Sequence, residues 1–169
     1  MMERQLARMT WEENREAVAR CAAALVPVGA VEQHGPHLPV DNDIFCAARL
    51  AEMIAEEAAR EGIPVAVAPA IAFGVSGHHM AFAGTVALRP WVFEEVVHDV
   101  GVSLARHGWR RVLFVNGHGG NSHALAAAIA RLAEDYPGVA FVLHEWWNLI
   151  ADRLGDILEV GLFHACEGE

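Results

Sequence analysis

The 169-residue chain has the size of one domain, and a hydrophobic content of 54% suffices for a sizeable core. A formal charge of -10 argues against nucleic acid and anionic membrane surfaces as partners, because phosphates are bound by clustered Lys and Arg. Three scattered cysteines, Cys21, Cys46 and Cys166, make neither a disulfide framework nor a Cys-rich zinc motif, and no apolar run near the charged N-terminus is long enough to span a bilayer, so a cytoplasmic protein is expected.

Thr10 and Glu13 stand at capping-box spacing and predict a helix over residues 11–21. A strand over 23–30 follows and empties into a loop, VEQHGPHLPVDND, that carries Glu32, His34, His37, Asp41 and Asp43. Carboxylates and imidazoles are the ligands taken by hard and borderline divalent metals, and a loop leaving a strand can turn several onto one point. Two readings of Asp43 stay open, because it precedes an apolar-periodic segment and is placed to cap that helix, to ligate, or to do both at once. His37 is equally open between a packed loop histidine and a ligand.

Helical spacing of Ile44, Ala47, Ala48, Ala51, Ile54 and Ala58 predicts a helix over 44–61, with Gly62 as its stop. Pro64–Pro69 reads as a short strand. The stretch 70–88, AIAFGVSGHHMAFAGTVAL, has no period and reads as a long loop, a feature usually reserved for function. Pro90 suits the first position of a helix running to His107, with Gly108 beyond it. Arg111–Val115 is a buried strand ending in Asn116-Gly117-His118-Gly119-Gly120-Asn121, and an alanine-rich helix continues to Asp135. A strand over 139–144 and a helix over 145–159 complete the alternation.

Strands alternating with helices predict an α/β fold, a three-layer sandwich with a mostly parallel sheet and helices on both faces. In such sheets ligands bind beyond the carboxyl ends of strands, where Glu32, His34 and His118 all fall. The glycines flanking His118 have two explanations. A Gly-rich strand-to-helix turn cradles phosphate, although this one lacks both the P-loop Lys-Ser/Thr and GxGxxG spacing. Alternatively, the glycines bring the His118 ring close to a metal and leave space for substrate.

The segments VEQHGPHLPVDND, GVSGHHMAFAGT and VNGHGGN, in this order, resemble the creatininase (creatinine amidohydrolase) family. The C-terminal HACEGE is similar to that family's HAGExE segment, which normally continues further, so the resemblance implies one creatininase-like domain over 1–169 lacking its C-terminal part. It implies a dinuclear metal hydrolase of a homo-oligomeric, usually hexameric, family that cleaves a nonpeptide amide C–N bond of a small-molecule substrate. Ring opening of an oxidised cyclic sugar or inositol, peptide trimming and a non-catalytic assembly domain are the alternatives.

Carried over by position, the resemblance makes Glu32 a ligand of one metal and His34 of the other. Asp43 bridges the two and His118 completes the first site. Two divalent ions are implied, zinc foremost, with manganese or iron possible. Gly120 stands where creatininase has a ligating Glu, which makes Glu169 a further ligand and catalytic candidate. His164 matches the family's proton-transferring histidine. Ser76, His79, Gly119 and Trp147 are the substrate-contact candidates, with a turn serine the alternative for Ser76 and packing the alternative for Trp146 and Trp147. Val160 and Gly161 replace the Trp and Asp that hold creatinine, so creatinine is not the expected substrate. His78 replaces a commonly acidic residue, and Ala83 a proline.

Overall fold

The computed structural model describes residues 3–153. The capping box forms: the Glu13 N–H donates to Thr10 Oγ1 at 3.3 Å, and the Thr10 N–H to the Glu13 carboxylate at 2.7 Å. It opens α1, Trp11–Arg20, which leads into β1, Ala24–Val28, whose five residues are all buried. Helix α2, Asn42–Arg60, buries Asp43, Ala47, Ala51 and Ala55 along one stripe. Gly62 follows it at φ +78°, a left-handed conformation that glycine adopts without Cβ strain.

Strand β2 is only Ala66–Val67, shorter than the Pro64–Pro69 run. Its neighbourhood is still sheet-like: the Val67 N–H donates to the Arg4 carbonyl at 2.8 Å, so an N-terminal segment covers the outer edge, and Ile71 bridges to Val28. Helix α3, Pro90–Arg106, begins on the expected proline. Strand β3, Arg111–Asn116, helix α4, Ser122–Asp135, and strand β4, Ala140–Glu145, follow.

Among the described residues the strand-to-strand pairings are parallel and the strand order is β2-β1-β3-β4. The chain leaves β1 to one side for β2, then returns across the sheet to add β3 on the other side. This reversal leaves a crevice between the carboxyl ends of β1 and β3, the place where open α/β sheets hold ligands.

Alternation along the strands separates two cores. Leu25 and Val115 join Ala51, Ala55, Val65 and Val67 under α2. Val26, Val28, Val112 and Phe114 face the other way, into a larger cluster with Phe93, Val97, Leu125 and Leu132 from α3 and α4 and Ala17 from α1. The three-layer α/β sandwich expected from the alternation is therefore what the chain builds. Each Val, Leu or Phe among them contributes about 1.5–3 kcal/mol on full burial, which lets the fold carry a polar cluster at one end of the sheet. Gly101 sets the distance between the outer helices, since a Cβ there would meet Leu132 Cδ1 at 2.4 Å.

The helix expected over 145–159 is a correction within the described residues. Glu145 ends β4 in register with Asn116, and Trp146–Leu149 and Ala151–Arg153 are short 3-10 turns. Ser122 donates to the Glu145 carboxylate, as does Asn148 at 3.2 Å, and these bonds hold Glu145 in the strand. Adjacent tryptophans also lose side-chain freedom in a helix, which weakens the alternative. Residues 154–159 lie outside the described residues.

Candidate metal centre

The loop after β1 is tied down before it reaches the site. The Gly29 N–H donates to the Ile71 carbonyl at 3.0 Å, and the Glu32 N–H donates to the Val40 carbonyl at 3.0 Å. Between these anchors Glu32 and His34 turn inward and are buried, whereas His37 and Asp41 are exposed and belong to none of the candidate metal-ligand groups. Asp43 does not cap α2. Asp41 holds the cap position without a side-chain bond, and Asp43 sits in the first turn. There the positive end of the helix dipole favours its carboxylate.

Asp43 reaches two histidines at once. Its Oδ1 lies 2.9 Å from His34 Nε2, and its Oδ2 lies 3.1 Å from His118 Nδ1. Glu32 Oε1 stands 3.3 Å from the same His118 Nδ1 and 3.8 Å from His79 Nε2. Room for this approach comes from Gly117, where a Cβ would meet the Asp43 carbonyl oxygen at 2.5 Å.

Hydrogen bonds on the far side of each ring decide which nitrogen faces the carboxylates. His118 Nε2 is 3.1 Å from the Val75 carbonyl oxygen, and His34 Nδ1 is 3.2 Å from the Glu32 carbonyl oxygen. A carbonyl only accepts, so these nitrogens carry the protons, and the opposite nitrogens present lone pairs to the cluster. Ser76 Oγ, fully buried, lies 3.4 Å from His118 Nε2, which places Ser76 behind that ring.

His79 is fixed by the reverse logic. Gln33 Oε1 accepts from the Gly35 N–H at 2.9 Å, which orients the amide so that Nε2 donates to His79 Nδ1 at 3.2 Å. His79 therefore presents its Nε2–H toward Glu32. Burial pushes the His79 imidazole below its ordinary value, against the pull of Glu32, and His78, His118 and His34 add to the lowering. For His118 burial acts the same way, but the Asp43 contact and the Glu32 and Asp43 charges outweigh it, and the ring is raised.

Four buried atoms remain without a hydrogen-bond partner at this point: both Glu32 carboxylate oxygens, Asp43 Oδ2 and His118 Nδ1. All are lone-pair donors. Burying a carboxylate without compensation is costly, and a proton on His118 Nδ1 would pair that nitrogen with a facing carboxylate oxygen while leaving other Glu32 and Asp43 oxygens bare. A cation suits the set. Two overlapping groups have ligating atoms all within 4.8 Å of one another, one of Glu32, His34 and Asp43, the other of Glu32, His78 and His118. The donors, carboxylate and imidazole, are those of zinc and its first-row neighbours.

Two asparagines that the motif reading left without a role organise the cluster. Asn116 Oδ1 accepts the His118 N–H at 3.2 Å while its Nδ2 donates to the His118 carbonyl at 2.9 Å. Asn121 accepts from the Val75 N–H at 2.9 Å and donates to the Gly29 carbonyl at 3.0 Å, joining three loops. Their signal was their position, flanking a glycine-rich turn at a strand end. Gly119 is exposed with open space around it, and Trp147 is partly buried against Trp146 with ring centroids 6.0 Å apart. His164 and Glu169 lie outside the described residues, as do Val160 and Gly161.

Over 124 residues the chain is 44% identical to the mycofactocin precursor peptide peptidase of Mycolicibacterium smegmatis, covering 70% of this chain and 48% of that one. It is 29% identical over 168 residues to the 3-dehydro-scyllo-inosose hydrolase of Thermotoga maritima, covering 95% and 52%. The chain thus spans about half the length of these curated relatives. Among solved structures, a manganese creatininase superposes with a TM-score of 0.84 at 26% identity, over 96% of this chain and 66% of that chain. A family model described as creatinine amidohydrolase matches residues 7–169, and the chain belongs to the creatininase family.

Proposed function

We propose that this chain carries the metal centre of a metal-dependent hydrolase that cleaves an amide C–N bond with water. The observation that carries this reading is the convergence of four buried, unpartnered atoms from Glu32, Asp43 and His118 at the crevice between β1 and β3. Glu32, His34, Asp43 and His118 would hold two divalent ions, zinc foremost, with manganese or iron possible. Bound there, such ions polarise a carbonyl and lower the pKa of water from its bulk value to about 7.

The protein's own groups do the rest. Val75 and Glu32 carbonyls hold His118 and His34 in the tautomers that ligate. His79, kept neutral by burial, offers its Nε2–H as a donor to a substrate oxygen or leaving nitrogen. Gly119, open on its outer side, leaves room for that substrate, and Trp147 is a further contact. His164 is assigned the proton delivered to the leaving nitrogen, and Glu169 a ligand role. Membership in a homo-oligomer, in the cytoplasm, is part of the same reading. Exposed Phe45, Phe73, Phe82 and Trp91 supply apolar surface for association, and among the described residues no helix is long and apolar enough to cross a membrane.

Within amide hydrolysis we place a peptide bond ahead of a cyclic amide or formamide, because the 44% identity to a peptidase exceeds the 31% to the creatinine amidohydrolase of Pseudomonas putida. The test is elemental analysis followed by assay. Protein purified gently, or reloaded with zinc or manganese, should carry up to two ions and release a fragment from a precursor-type peptide by mass spectrometry. Absence of bound and rebound metal would overturn the hydrolase reading, whereas metal binding with cleavage of small cyclic amides alone would overturn the peptide preference.

A further inference from the structure

His78 is an exposed residue in a short 3-10 turn, Gly77–His79, of the long loop after β2. Its ring stacks on that of His118, with centroids 6.0 Å apart and planes within 5°. One of its nitrogens lies within 4.8 Å of ligating atoms of both Glu32 and His118.

We propose that His78 is a metal ligand, completing with Glu32 and His118 one cation position, with Asp43, which reaches both His118 and His34, standing between it and a second position framed by Glu32, His34 and Asp43. This rests on the metal-centre reading above and extends it to a residue outside the ligand set already assigned.

Three observations carry the proposal. Glu32 has two buried oxygens without partners, so it can serve one cation with each, and it is common to both groups. His118 Nδ1, the nitrogen that faces the carboxylates, has no hydrogen-bond partner, so its lone pair is available to a cation that His78 also reaches. Finally, the two positions differ in chemistry. Two imidazoles and one carboxylate form a three-ligand set of the kind zinc takes in catalytic sites, and the exposed ring leaves an open side for water and substrate. One imidazole and two carboxylates form a harder set, better suited to manganese.

The experiment is zinc titration of the full chain against a competing chelator, with Co2+ absorption as a second readout, on wild type, His78→Ala and His78→Glu. The expected result is two ions on wild type and a loss of at least ~100-fold in affinity for one of them in His78→Ala, the upper end of what removal of a merely supporting residue costs. The other ion should be retained, and His78→Glu should recover the second because a carboxylate also ligates. Because His78 is exposed, the variants keep the core intact, and near-ultraviolet circular dichroism checks this. Wild type that binds ions, with His78→Ala indistinguishable from it in affinity and Co2+ spectrum, overturns this proposal alone. Loss of both ions in His78→Ala, or failure of His78→Glu to recover one, also overturns it. A wild type that binds no ion overturns the metal-centre reading itself.

Discussion

His118 Nδ1 stands 3.1 Å from Asp43 Oδ2, yet neither atom has a hydrogen-bond partner. A lone pair facing a carboxylate oxygen is repulsive unless a positive charge lies against both. Asp43 also touches His34 through its other oxygen. Asp43→Ala should therefore lose both ions, whereas His34→Ala should lose mainly one, each by more than the ~10–100-fold that loss of a supporting residue costs. Elemental analysis after dialysis against a weak chelator measures this. Equal metal in Asp43→Ala and wild type would reduce Asp43 to a helix-terminal carboxylate.

Metal removal should destabilise the fold. Both oxygens of Glu32 are buried and unpartnered, and an unsatisfied buried group costs about 1–3 kcal/mol, more when charged. Each kcal/mol corresponds to ~2–4 °C in a domain of this size. Chelation should lower the melting temperature by several degrees, and Glu32→Gln should narrow that gap by raising the stability of the metal-free protein. A Glu32→Gln protein that melts lower than wild type after chelation would contradict this.

The two shifted histidines predict opposite pH dependences. His118 is raised above the ordinary value of 6.5, so its contribution to the metal-free protein is fully present below that pH and is lost as pH rises through the raised value. His79 is lowered from 6.5, so its contribution is lost as pH falls toward the lowered value. Between them they place a stability maximum near 6.5, read from urea midpoints of chelated protein. His118→Ala should abolish the decline on the alkaline side. With zinc present, protons compete for His118 Nδ1, and affinity should begin to fall above pH 6.5 as acid is added.

Two neighbouring glycines should respond differently to a methyl group. At Gly117 a Cβ would lie 2.5 Å from the Asp43 carbonyl oxygen, whereas at Gly119 it would meet nothing within 4 Å. Gly117→Ala should push the start of α2 away, costing about 1–3 kcal/mol by overpacking and weakening metal binding. Gly119→Ala should stay within ~0.5 kcal/mol of wild type. Urea denaturation and zinc titration of the pair test whether Gly117 is a spacer for the site.

Much of this protein was determined by local chemistry and is readable along the chain. Thr10 with Glu13, Pro90 and Gly62 mark helix ends because caps depend on neighbours a few residues away. Alternation such as Leu25 against Val26 assigns sheet faces because the strand period is two. Glu32, His34 and His118 were recognisable by type and by their place at strand ends. Tertiary structure decided the rest, because it depends on which ends come together. The order β2-β1-β3-β4 sets β1 beside β3 and so brings His118 to Glu32. Only that meeting shows Asp43 shared between two histidines instead of capping α2, and leaves His37 and Asp41 of the same loop in solvent. The far sides of the rings were likewise invisible in sequence, since Val75 and Asn121 reach the site from segments more than forty residues apart. The strand ending at Glu145 overrode a helical reading for the same reason: pairing with Asn116 is a partner that no local pattern contains.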